Sequence, residues 1–262
     1  MLDGLVVTAV ALLAGGEVGP AVRLGTSMTF LQFSIGALND IIDAPADAGR
    51  RPPKPIPGGL VTVDGARTIV AASAIVGLVL ALASGPAVLL VAILVLGIGF
   101  GYDVVAKGTP WSWLPFAIGI PLLPVYGWLG VTGSLPAAFA ILLPMAFLAG
   151  AGLAIANARS DLDADRRSDT RSVATALGTE RSWWTGGALL AAATATGLLF
   201  MPASGWYSAT IGLVAAGTGL VVIGLIVGRA EAAITRRRAW EVQAVGAAIA
   251  ATGWVAGLLP GP

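Results

Sequence analysis

Apolar residues run through this chain in long blocks broken by short polar stretches, with no strand-like alternation. A helix that crosses a bilayer needs about 20 predominantly apolar residues. Nine segments meet or approach that length: 2–15, 20–43, 66–84, 86–101, 112–131, 135–158, 182–200, 205–228 and 238–258. The first is short and the fourth is tight. Turns such as SGPA (84–87), TGSLP (132–136) and PASG (202–205) join alternate pairs, and no low-complexity tract or long linker marks a second domain. The pattern predicts an all-α, polytopic membrane protein: nine transmembrane helices in a single domain over residues 1–262.

Composition agrees. Of 262 residues, 56% are hydrophobic and 11% charged, against about 25% charged in soluble domains. A net charge of +1, from 15 basic and 14 acidic residues, gives no reason to expect a nucleic-acid partner. The chain has no Cys and no His, which removes the usual general base and the usual soft metal ligands. The start, MLDG, has no basic stretch, and no small-residue cleavage site follows Leu5–Ala14. A cleaved signal peptide is therefore not expected.

Charge fixes an expected orientation. With nine spans, the N-terminus and the loops after segments 2, 4, 6 and 8 share one side. That side holds 14 of the 15 basic residues, leaving only Arg23 opposite. Basic loops stay in the cytoplasm, so an integral cell-membrane protein with a cytoplasmic N-terminus is expected. The acidic residues gather on the same side, with only Glu17 opposite. Acids contribute little to orientation, so their clustering needs another cause.

Two clusters stand out. Asn39, Asp40, Asp43 and Asp47 close segment 2; Asn157, Asp161, Asp163, Asp165 and Asp169 close segment 6. Within each, oxygens recur every four residues, a spacing that stacks them on one face of a helix. Pro45 disfavours helix at Ala44, which would put Asp47 in a loop. Basic pairs follow, Arg50–Arg51 and Arg166–Arg167. Stacked carboxylates repel. One reading is a solvated acidic loop beside the membrane; the other is a cation site. An all-oxygen set suits magnesium or calcium, and magnesium favours one or two carboxylates completed by water and phosphate oxygens.

Asn39-Asp40-Ile41-Ile42-Asp43-Ala44-Pro45-Ala46-Asp47 resembles the NDxxDxxxD motif of the UbiA superfamily of intramembrane prenyltransferases. Asn157–Gly178, NARSDLDADRRSDTRSVATALG, resembles its second motif, a DxxxD pair followed by a basic and a small hydroxyl residue and then Gly. The pair matches Asp161 and Asp165, followed by Arg171 and Ser172. YDVVAKGTPWSW (102–113) resembles the family's Tyr-and-Lys loop. The resemblance spans nearly the whole chain, in order and in topology. Asp163 and Asp169 fall outside the pair and have no counterpart role.

The resemblance implies a helical bundle with a central cavity capped by cytoplasmic loops. It implies Mg2+ as cofactor, an isoprenyl diphosphate and an unidentified acceptor as partners, and prenyl transfer with release of diphosphate. Asn39, Asp43 and Asp47, with Asp40 supporting them, would hold one magnesium; Asp161 and Asp165 would hold another. Asp43 and Asp161 would be central to catalysis. Asn39, Arg50, Lys54, Lys107, Asn157 and Arg171 would grip the diphosphate. Tyr102 would hold phosphate or face the carbocation with its ring. For each cation taken singly, anchoring at the membrane surface is the competing explanation. The prolines of segment 5 and aromatics such as Phe33 and Tyr126 are candidates to shape and line the cavity. A membrane terpene cyclase of the same superfamily would use the same metals, with the substrate's own alkene as nucleophile. A transporter would carry its acids in mid-span rather than at helix ends. Asp64-Gly65-Ala66-Arg67 resembles part of a CDP-alcohol phosphotransferase motif, but the downstream aspartates that motif needs are absent.

Overall fold

The computed structural model describes residues 2–49, 53–201 and 208–258. Among them there are helices and turns, and no strand. In order they are α1 (Leu2–Leu13), α2 (Val18–Asp43), α3 (Val63–Leu82), α4 (Pro86–Gly101), a π-helical turn (Tyr102–Ala106), α5 (Leu114–Thr132), α6 (Phe139–Ser160), α7 (Leu162–Arg167), α8 (Val173–Leu177), α9 (Thr179–Leu199), α10 (Ser208–Val227) and α11 (Ala233–Ala256). Five of these are long and apolar enough to cross a membrane: α3, α4 with its π-helical turn, α5, α6 and α10.

Local chemistry explains several boundaries. Thr62 accepts the Gly65 amide at 3.0 Å and caps α3, so that helix starts three residues before the apolar run suggests. The Asp64–Gly65–Ala66–Arg67 stretch is its first turn, where Asp64 and Arg67 pair at 2.9 Å. Gly85, at φ 123, precedes Pro86 at the start of α4, where a missing N–H costs nothing. The short helices α7 and α8 interrupt what the sequence presents as one polar loop.

The chain forms two compact units, residues 1–105 with 122–135, and 106–121 with 136–262. In the first, Val7, Leu24, Met28, Leu31, Val88 and Tyr126 form the buried core. Tyr126 is therefore a core residue rather than part of an open lining. Ser27 donates to the Gly77 carbonyl at 2.6 Å and lies 2.6 Å from the Tyr126 hydroxyl. Its single hydrogen is used by Gly77, so Tyr126 is the donor to Ser27. Ser34 donates to the Val70 carbonyl at 2.8 Å, a second polar stitch between α2 and α3.

Glycines let helix backbones touch within each unit. A Cβ on Gly4 of α1 would stand 2.6 Å from the Gly25 carbonyl of α2. In the second unit, a Cβ on Gly152 of α6 would meet the Gly186 carbonyl of α9 at 3.0 Å. One on Gly246 of α11 would meet the Gly217 carbonyl of α10 at 2.7 Å. Lipid-facing bundles gain little from the hydrophobic effect between helices and rely on such close packing.

Candidate active site

The first motif sits at the end of α2. Pro45 lacks an N–H, and α2 ends at Asp43 as that predicts. Ala44 nevertheless keeps helical angles, φ −49 and ψ −42, and the Asp47 amide bonds the Asp43 carbonyl at 2.9 Å. The helical path thus carries one turn further than Pro45 suggests. That turn buries Asp47, which is 4% exposed.

Lys54 returns to this turn. Its ammonium lies 2.7 Å from Asp47, 3.5 Å from Asp40 and 3.9 Å from Asp43. Three carboxylates of the motif thus gather about one cationic nitrogen. The hydrogen bond it donates to Asp47 raises the Lys54 pKa above its ordinary value, against a smaller effect of burial. Arg50 lies outside the described residues.

Asn39 points elsewhere. Its Nδ2 donates to Asp103 Oδ1 at 2.6 Å. Asp103 is 4% exposed and lies in the π-helical turn, a rare distortion that concentrates at functional sites. With the NH2 end committed to Asp103, the Asn39 carbonyl oxygen is left to accept or ligate. Asp103 is absent from the sequence-based set, although it directly follows Tyr102. Tyr102 opens the same turn and is half-buried.

A cavity of about 480 Å³ adjoins the motif. Its walls include Asn39, Asp40, Ala37, Gly36 and Phe33 of α2 and Ile56 of the loop that carries Lys54.

The second motif belongs to the second unit. Asn157 lies in the last turn of α6, and Asp161 stands just beyond it at φ −97, ψ 0. The helix breaks there. Asp161 and Asp165 are therefore not stacked on one continuous helix; α7 restarts between them, and the Asp165 amide bonds the Asp161 carbonyl at 2.9 Å. Asp163, which falls outside the pair, finds a partner on another helix. Asp163 receives Arg236 of α11 at 2.5 Å, and that hydrogen bond lowers its pKa. Asp169 takes φ 54, the only positive-φ residue other than glycine among those described. The Thr170 amide then bonds the Asp165 carbonyl at 2.8 Å, the closure of a left-handed helix end.

Ser172 caps α8. It accepts the Thr175 amide at 3.3 Å, while its own amide donates to Thr175 Oγ1 at 2.8 Å. Gly178, at φ 79, turns the chain from α8 into α9, a conformation costly for other residues. Arg171 is exposed, and Lys107 is half-buried just after the π-helical turn.

Among the described residues, no three acidic side chains form a ready-made metal cage. Magnesium does not need one, since it takes one or two carboxylates with water and phosphate oxygens. The grouping of Asp40, Asp43 and Asp47 about a cation, with only oxygen donors available, fits that ion.

Residues 4–244 match the model of the UbiA prenyltransferase family. The chain belongs to this family. Solved UbiA homologues share the fold at low identity. One from Aeropyrum pernix K1 is 22% identical with a TM-score of 0.76, over 98% of this chain and 97% of that one. One from Archaeoglobus fulgidus, solved with GPP and Mg2+, is 15% identical with a TM-score of 0.70, over 98% and 96%. A digeranylgeranylglyceryl phosphate synthase is 17% identical with a TM-score of 0.75, over 98% and 91%. No curated protein sequence matches the chain. UbiA membership and the five apolar helices together make this an integral membrane protein.

Proposed function

We propose that the chain is a magnesium-dependent intramembrane prenyltransferase, moving a prenyl group from an isoprenyl diphosphate to an acceptor with release of diphosphate. The observation that carries this is the convergence of Asp40, Asp43 and Asp47 on one cationic centre in a UbiA family chain. The Archaeoglobus fulgidus homologues, solved with GPP or DMAPP and Mg2+, support it.

Asn39, Asp43 and Asp47, backed by Asp40, would hold one ion, and Asp161 and Asp165 another. Magnesium, when bound, neutralises the diphosphate oxygens as the allylic C–O bond breaks. The bonding pair leaves with the diphosphate, the allylic carbon becomes cationic, and the acceptor adds there as it loses a proton. Lys54, Lys107, Arg171 and Arg50 supply further positive charge to the diphosphate. Asn157 is a further diphosphate ligand. Asp103 orients Asn39 so that its carbonyl oxygen serves the site. Tyr102 offers a hydroxyl to phosphate or a ring face to the cation.

The cavity beside the first motif suits the prenyl tail. Its volume lies in the range of small-molecule pockets. From Asp40 to Phe33 it follows α2 for about 10 Å at 1.5 Å per residue, from a polar mouth to an apolar wall. Water is kept from the cation by such walls.

In this reading α2, α9 and α11, with the shorter α1, complete nine spans. The two units then act as one domain, with the N-terminus and motif loops cytoplasmic, as the basic residues imply. The deciding experiment incubates membranes with allylic diphosphates of several lengths, with and without a panel of acceptors. Acceptor-dependent diphosphate release is the expected result. Cyclic hydrocarbon formed from diphosphate alone would make it a cyclase, and no release under either condition would reject both.

A further inference from the structure

Asp163 lies between Asp161 and Asp165 but outside the ligand set assigned above. Its partner explains its presence. Arg236, 4% exposed on α11, gives Nη2 to Asp163 at 2.5 Å and Nε to the Arg159 carbonyl at 3.1 Å. Its Nη1 donates to the Glu231 carbonyl. Arg159 is also buried, giving Nε to the Thr179 carbonyl at 3.1 Å and Nη1 to the Gly228 carbonyl. Two rigid, planar guanidinium forks therefore tie the end of α6 and the start of α7 to α9 and to the α10–α11 turn.

The second motif needs such a tie. The last carbonyls of a helix have no partner within it, and α6 ends at Ser160. The Arg159 carbonyl is one of these, and Arg236 takes it. Helix α7 has six residues, too few to hold itself together in water. The spacing of Asp161 and Asp165, on either side of the break, depends on what grips the turn from outside. Asp163 is that grip: its side chain stays 45% exposed while its partner is buried.

We propose that Arg236 is a positioning residue for the second aspartate motif, holding Asp161 and Asp165 in register through Asp163 and the Arg159 carbonyl. The proposal rests on the metal reading of that motif. A contact that served packing alone would affect stability and leave ion binding untouched.

The test uses the full-length protein in detergent, with Asp43→Ala as parent so that ions at the first motif do not mask the second. Mn2+ affinity is read by electron paramagnetic resonance, and amide exchange is followed over residues 161–172. In Asp163→Asn, the amides of Asp165, Ser168 and Thr170, bonded at 2.8–3.0 Å, should exchange faster, while the middle of α6 stays protected. Mn2+ affinity should fall by about 10- to 100-fold, the range for residues that orient metal ligands. Asp163→Glu should restore most of it, and Arg236→Met should reproduce the loss. Faster exchange with unchanged Mn2+ affinity would overturn the proposal, as would unchanged exchange. A parent that binds no Mn2+ would overturn the metal reading itself, a result distinct from bound Mn2+ that ignores Asp163.

Discussion

Asn39 and Asp103 are 64 residues apart and share a hydrogen bond of 2.6 Å. It joins the end of α2 to the π-helical turn after α4 and decides which end of the Asn39 amide is free. Replacing Asp103 by Ala should let the amide rotate and lower prenyl transfer by about 10- to 100-fold. Asp103→Asn keeps an acceptor and should retain more activity. Steady-state rates at several Mg2+ concentrations will show the Ala variant needing more metal; equal loss in both variants would point to the charge instead.

Asp43→Ala and Asp161→Ala should each reduce turnover by at least about a hundredfold, because each removes charge stabilisation worth several kcal/mol. Both residues lie at helix ends and outside the core, so both variants should still fold. Rates and melting temperatures of the purified variants test this, and wild-type rates in excess EDTA should be equally low.

Lys54 neutralises three neighbouring carboxylates. In Lys54→Met these repel one another, so the variant should melt below wild type without divalent metal. Added Mg2+ should close much of that gap, since a bound cation replaces the missing charge. Thermal unfolding with and without Mg2+ measures the difference; a gap that ignores Mg2+ would place the metal elsewhere.

Asp169 occupies a left-handed turn. Asp169→Gly should leave activity and stability close to wild type, because Gly adopts that conformation freely. Asp169→Val should destabilise by about 1–2 kcal/mol. A paired melting experiment separates this from a role for the carboxylate, which both variants lose.

Cysteines introduced at Gly49, Arg167 and Arg237 should all label from the cytoplasmic face with a membrane-impermeant reagent. The split of 14 basic residues to one is the reason. Opposite labelling of Gly49 and Arg167 would defeat the proposed site.

The helices were largely legible because apolar runs of this length have one use, and the first motif because its spacing survives folding along α2. What the sequence hid were breaks and partners. Nothing in Arg159–Ser160–Asp161 announces that α6 stops there, since none of the three is Gly or Pro. Nor does any local spacing announce that Asp163 meets Arg236, 73 residues away. Asp103 is hidden for a similar reason: a single acid within an apolar stretch carries no periodic signal, and only the fold shows that it meets Asn39. The turn at Asp169 is silent in the sequence because a backbone angle leaves no mark on residue type when Asp stands in for Gly.

The facing glycines carry one more consequence. Where Gly4 meets Gly25, Gly152 meets Gly186 and Gly217 meets Gly246, a slide of about one helical turn, roughly 5.4 Å, would bring a side chain against its neighbour's backbone. These three pairs are poorly suited to work as pistons. Each is held at its glycine contact, like a pair of scissors at its rivet, which resists sliding and leaves a change of tilt as the easier motion between the two helices.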